Sequence, residues 1–315
     1  FLGPQRDGVS YEKHILLDWD DAGPQQLWRN QVGTGYSSPV VAGDDLILMH
    51  REEDEELVEC FHASTGNSKW RYSYPTSYEC QYEYSNGPYS TPAIDDGRVY
   101  AWSAEGTLRC LQLSTGEPIW DRDLSSEYEA ELGMFPVAGS VFVNDDRVIL
   151  NVGGIGTQAG VVALDRLTGD TLWTASDHGP GDATAVSAAI HGNRYVFMFT
   201  ADGLLSLDPA TGAVHWRIPF RANAADTSNA TTPAVWNDLV LISAYKVGSL
   251  CVQVLPDGSY EELWRERRSS RNSTTRSFAT ATSTGFQRTI TRSAASKWQR
   301  EKCSGNGNLN TAAGK

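Results

Sequence analysis

No run of apolar residues in this chain approaches the roughly 18 that a membrane-spanning helix needs, so no segment reads as transmembrane. Histidine is sparse: the 6 residues are scattered, with no His-Glu-x-x-His and no paired metal spacing, and no metal site is expected. The 5 cysteines are odd in number and lack Cys-x-x-Cys spacing, which argues against both a disulfide framework and a zinc site. No Ser/His/Asp triad can be assigned, because abundant Ser and Asp make chance sets easy. Basic charge is outnumbered over most of the chain. Of 26 Lys and Arg residues 11 lie in 265–315, against 2 of the 39 Asp and Glu. The remaining body is strongly acidic, which excludes nucleic acid as its expected partner.

Aromatic and turn residues are plentiful, with 10 Trp, 13 Tyr and 29 Gly, and they are ordered. Thr65-Gly66 precedes Trp70, Thr115-Gly116 precedes Trp120, Thr168-Gly169 precedes Trp173, and Thr211-Gly212 precedes Trp216. In every case Trp follows Gly by four positions, and Leu27-Trp28 and Leu263-Trp264 mark two weaker copies. A period of 40–50 residues with strand-like segments predicts a repeat fold, a β-propeller. Each repeat opens with a short apolar strand after a hydroxyl residue, as at Ser38-Pro39, Thr91-Pro92 and Thr232-Pro233. A tight turn follows, for example Asp95-Asp96-Gly97 or His191-Gly192, then a second strand, a small loop, a third strand, the Thr-Gly turn and the Trp strand. Such a sheet has two apolar faces that only stacking on neighbouring blades can bury. Trp70, Trp120, Trp173 and Trp216, with Gly66, Gly116, Gly169 and Gly212, are therefore structural anchors between blades. Cys60 and Cys110, each six residues before a turn glycine, read as small buried thiols at one repeated place, whereas Cys80 lies in a loop and is the cysteine exposed to reaction.

The pattern Asp-x-x-Thr-Gly-x-x-x-Trp, complete at Asp165–Trp173 and Asp208–Trp216, resembles the tryptophan-docking repeat of quinoprotein-like (PQQ-like) β-propellers. His62 and Gln112 stand in place of the Asp in the other two copies. The opening Phe1-Leu2-Gly3-Pro4 also resembles the start of exported bacterial members of that group. The resemblance covers 1–268. It implies an all-β propeller of four-stranded antiparallel blades, seven or eight in the complete protein, of which about five and an N-terminal closing strand lie here. Two functions go with it. One is a non-catalytic, monomeric, periplasmic or secreted scaffold of the BamB-like kind, with a protein partner and no cofactor. The other is a pyrroloquinoline-quinone (PQQ)-dependent alcohol dehydrogenase, in which quinone and calcium fill the central funnel under a ring of adjacent cysteines. This chain has no adjacent cysteines, and no Asp matches the catalytic one, so the scaffold is favoured and no catalytic residue is assigned. A start at Phe1 rather than Met is read as a fragment or a processed product that has lost its export signal.

Binding is expected on the long connections between blades, 74–89, 121–135, 177–184 and 218–229, which leave from the end opposite the Thr-Gly turns. Residues at their inner ends would line the funnel: Tyr36, Ser37, Tyr89, Ser90, Phe135, Asn229 and Thr231. Tyr78 and Tyr82 join this set as rigid amphipathic recognition groups; the alternative is a loop packed on itself. The acidic run at 52–56 is expected to be a solvated hairpin tip, and Gly154–Gly160 a glycine-rich hairpin loop in spite of its hint of a dinucleotide fingerprint.

Beyond Arg268 the strand pattern stops. The stretch 269–302 is rich in Ser, Thr, Arg and Ala, and fits a disordered basic tail or an arm for anionic surfaces. The favoured reading is a further blade out of frame. Codons shifted by one base allow 279–286 to return a turn and strand. With Trp298 fixing its codon, the same shift recovers an Ala-Thr-Gly-x-x-x-Trp run with the familiar spacing.

Overall fold

The computed structural model describes 23–267, except Glu83, 133–134 and 222–227, together with Gly3, Lys13 and Trp19. The chain divides into two compact units, and the described residues other than Gly3 belong to the larger, which contains Glu12–Ser270. The stretch expected to be out of frame, 269–315, lies outside the described residues.

Five four-stranded antiparallel sheets follow one another along this unit, each in simple sequential order. The first holds β1 (Val40–Ala42), β2 (Asp45–Glu52), β3 (Glu55–His62) and β4 (Ser68–Pro75). The second holds β5 (Ala93–Asp95), β6 (Arg98–Trp102), β7 (Thr107–Gln112) and β8 (Pro118–Asp123), followed by a single helical turn, α1 (Leu124–Glu127). The third holds β9 (Phe142–Asn144), β10 (Arg147–Leu150), β11 (Val161–Asp165) and β12 (Thr171–Ala175). The fourth holds β13 (Val186–Ile190), β14 (Asn193–Phe199), β15 (Gly203–Leu207) and β16 (Val214–Pro219), and the fifth β17 (Ala234–Trp236), β18 (Leu239–Ala244), β19 (Gly248–Val254) and β20 (Tyr260–Arg267). These are propeller blades, and the core lies in and between them. Residues of the two middle strands such as Val58, Leu108, Val162 and Leu205 are fully buried, as expected for sheets covered on both faces.

Blade contacts follow one rule. A Cβ on Gly116 would stand 2.5 Å from the Trp70 ring of the preceding blade, and the Trp70 indole N–H donates to the Leu113 carbonyl at 2.8 Å. Trp28 meets Gly66 and donates to Ala63, and Trp173 meets Gly212 and donates to Pro209, in the same way. The acceptor is always three residues before the glycine. The segment around Trp28 thus docks on the first blade as an outer strand would, and Thr34 bridges Arg51 beside it.

Two tryptophans depart from the expectation that the indole finds a carbonyl. Trp120 meets Gly169, but its N–H has no partner, and the Arg166 carbonyl accepts from the Tyr100 hydroxyl at 2.9 Å. For Trp216 the following blade offers no Thr-Gly turn to dock on, its β19–β20 connection reading Pro256-Asp257-Gly258. It packs on Tyr260 with ring centroids 4.9 Å apart, and its N–H is also unpartnered.

In every blade the Trp strand carries one extra residue beside the Trp, opposite Cys60, Cys110, Ala163, Ser206 and Cys251 of the third strand. All five are small because the indole occupies the space beside them. Burial pushes the Cys60 and Cys251 thiols up to about 11 and that of Cys110 to about 12, so these are inert packing groups.

Candidate functional site

Hydroxyls at the inner strands form a ladder that sequence reading registered only as a recurrent Ser/Thr before each strand. The Ser38 amide donates to Thr91 Oγ1 at 3.1 Å, the Thr91 amide to Ser140 Oγ at 3.2 Å, and the Ser140 amide to Thr184 Oγ1 at 3.0 Å. Each rung joins one blade to the next, so the starts of the first four inner strands are held in place.

On this frame the connections bring five aromatic rings together. Tyr36 and Tyr89 meet edge to face with centroids 4.8 Å apart. Phe135, from the second long connection, lies 6.2 Å from Tyr89, 5.9 Å from Tyr82 and 5.7 Å from Tyr84. Tyr82 and Tyr84 are themselves in contact. The rings are only partly spent on one another: Tyr36 is 57% exposed, Tyr82 44% and Tyr84 58%. Tyr84 was missed as a site residue, although its place within the tyrosine-rich loop was the available signal.

The loop carrying the tyrosines is pinned from below. Buried Arg51 donates to the carbonyls of Tyr78 and Asn86, and Asn86 in turn accepts from the Cys80 amide. The amides of Tyr36 and Ser37 both donate to the Pro88 carbonyl. Gly87 is required here, since a Cβ would come within 2.1 Å of the Thr34 carbonyl oxygen. Cys80 sits beneath the rings, 3.9 Å from the Tyr89 hydroxyl. Its partial burial opposes ionisation. The Tyr82 amide, the Tyr78 and Tyr89 hydroxyls and the Tyr84 amide outweigh that, and the thiol titrates below its ordinary value. Burial raises Tyr78 and Tyr89 above the usual phenol range.

The other expected funnel residues stand apart from this cluster. Ser90 and Asn229 are buried, and Asn229 donates to the carbonyls of Thr200, Ala201 and Phe220, tying a connection down. Thr231 spends its hydroxyl on the Ser243 carbonyl, and Ser37 is half-buried. The ladder itself uses the residues next to two of them, Ser38 and Thr91. The acidic run is also not uniformly solvated. Glu53, Asp54 and Glu55 are exposed, but Glu56 is fully buried, accepting from the Tyr74 hydroxyl at 2.8 Å and from the Ala104 amide. Burial raises its carboxyl above the usual range. Arg109 stacks 3.6 Å from the Tyr74 ring beside it. The glycine-rich stretch forms the expected hairpin, closed by a bridge from Gly154 to Ala159.

Beside the aromatic rings a small cleft, open to solvent, runs between the second and third connections. Trp102, Phe135, Pro136, Asn151, Glu131 and Asp182 are on its walls. Among the described residues no group of three or more His, Cys, Asp or Glu stands together as a metal-binding cluster. No helix among them is long and apolar enough to cross a membrane.

A family profile described as outer membrane protein assembly factor BamB matches residues 54–280. The chain is 32% identical over 130 residues to the BamB of Legionella pneumophila, an alignment covering 41% of this chain and 32% of that protein. It thus spans about a third of that relative. The crystal structure of BamB from Moraxella catarrhalis superposes with a TM-score of 0.51 at 16% identity, over 76% of this chain and 64% of that one. A europium-containing methanol dehydrogenase does so with 0.52 at 13% identity, over 76% and 54%. At such identities the two structural likenesses establish the fold alone.

Proposed function

As the chain belongs to the family of the outer membrane protein assembly factor BamB, we propose that it is a non-catalytic propeller that presents the aromatic long-loop face to a protein partner. The observation that carries this reading is the meeting of Tyr36, Tyr82, Tyr84, Tyr89 and Phe135 from three separate segments, with three of the rings substantially exposed. Tyrosine supplies large contact area with few rotatable bonds, and loops already pinned by Arg51 and the Pro88 carbonyl lose little entropy on binding. The protein works in the periplasm or outside the cell, as a monomer and without a cofactor.

The test uses a photo-crosslinking amino acid at Tyr84, on the long-loop face, and at Asn193, on the opposite end, in cells making the full chain. A discrete protein adduct from position 84, absent from 193 and lost when Tyr82 is changed to Ala, is the expected result. Saturable, calcium-dependent quenching of tryptophan fluorescence by low-micromolar PQQ would replace this reading with the quinoprotein one.

A further inference from the structure

The five rings of the long-loop face make a platform and not a socket. Neighbouring centroids are 4.8 to 6.4 Å apart, so ring touches ring and no space between them encloses a small cation. Tyr36, Tyr82 and Tyr84 are nevertheless exposed, as is Leu132 on the connection that carries Phe135. An exposed apolar surface on pinned loops is suited to a segment of chain laid across it.

Exposed carboxylates lie on the same segments. Glu79 is in the tyrosine loop itself. Glu129 and Glu131 precede Phe135 on its connection, and Glu131 shares the wall of the small cleft with Phe135. Glu53 is at the tip of the β2–β3 hairpin, where Arg51 donates both to the Glu53 carbonyl and to that of Tyr78. The arginines at this end of the first two blades are spent elsewhere. Arg51 pairs with Asp54, Arg71 with Glu52 and Arg122 with Glu127, while Arg109 stacks on Tyr74. Among the described residues none of them pairs with Glu53, Glu79, Glu129 or Glu131. Acids at the Thr-Gly end mostly have local work. Asp45 pairs with Lys69, Asp96 with Arg166 and Asp145 with Arg194. Asp165, Asp208 and Asp257 accept from amides of their own turns.

We propose, on the footing of the protein-partner reading above, that the platform takes a cationic segment of the partner. Apolar side chains of that segment lie on the rings, and its Lys or Arg residues meet the acidic rim. Complementary rim charges speed the encounter and fix the register, while the rings supply the contact area. The same rim repels an anionic bilayer and nucleic acid.

The experiment titrates two blocked peptides, Lys-Leu-Leu-Lys and Gln-Leu-Leu-Gln, into the full chain carrying 4-fluorophenylalanine at Phe135, whose 19F resonance is the readout. The lysine peptide should move that resonance and bind about fivefold more tightly than the glutamine one, the scale of two exposed ion pairs. Glu79→Gln with Glu131→Gln should remove most of that preference. Asp44→Asn with Glu117→Gln, beside the Thr-Gly turns, should leave it intact. Equal affinity for the two peptides, an unmoved resonance, or an equal loss in the two double variants overturns the assignment. A crosslink from position 84 that persists alongside such a result leaves the protein-partner reading standing, whereas loss of the crosslink as well removes both.

Discussion

The Trp70 indole fills the space where a side chain on Gly116 would stand, and its N–H donates to Leu113, three residues earlier on the same turn. Gly116 is also in the left-handed region at φ 76°. Gly97, at φ 72°, has nothing within 4 Å of an added Cβ. Gly97→Ala should cost only the backbone strain, about 1 kcal/mol. Gly116→Ala should cost at least about 2 kcal/mol more, because a packed ring must move. Urea unfolding of the two variants measures the difference, and equal losses would show that docking adds nothing to the turn.

The indoles of Trp70 and Trp120 should differ when each is changed to Phe. Trp70→Phe leaves the Leu113 carbonyl without its donor, an extra loss of about 1 kcal/mol beyond the smaller ring. Trp120→Phe breaks no hydrogen bond, because the Trp120 N–H has no partner. Denaturant midpoints should rank Trp70→Phe as the more damaging.

Burial pushes the Asp182 carboxyl up to about 6, from an unperturbed 3.8, while Ser228 opposes the shift. Between these values the folded chain keeps a proton that the unfolded chain has lost. This group's contribution therefore falls as pH rises through that window, and its full penalty is reached above pH 6. Asp182→Asn should accordingly stabilise the protein at pH 7.5 by about 2 kcal/mol and have no effect near pH 3.5. Thermal unfolding at the two pH values tests the sign. A variant less stable at pH 7.5 would mean that Asp182 holds the fold together.

Native alkylation with iodoacetamide should modify Cys80 well before Cys60, Cys110 and Cys251. The Cys80 thiol is lowered and partly exposed, whereas the other three are raised by burial in the blade cores. Peptide mass mapping over a time course reads the order, and comparable rates at Cys60 would show that the first blade opens freely.

The coding DNA of 269–302 gives a further check. A shifted frame should return strand-like codons and the Thr-Gly to Trp spacing, and the corrected chain should melt at higher temperature, since one more blade would then follow β20. An alternative frame without such codons removes the proposal.

The repeat spacing of Thr-Gly and Trp was enough to establish the blades, because turn chemistry and packing anchors are local requirements that recur at fixed offsets. The same local logic placed Cys60 and Cys110 at equivalent buried positions and anticipated the hairpin at 154–160. It could not say how each hydroxyl, carboxylate or indole is partnered, since the partners come from other blades. The Arg166 carbonyl accepts from Tyr100, 66 residues away. The Ser38–Thr91–Ser140–Thr184 ladder makes the hydroxyls ahead of four inner strands into joints between blades. Tyr36, Tyr84 and Phe135, distant along the chain, become one surface only because consecutive blades set their connections side by side. Spacing along the chain determined the scaffold, and long-range packing decided which side chains were left free to meet a partner.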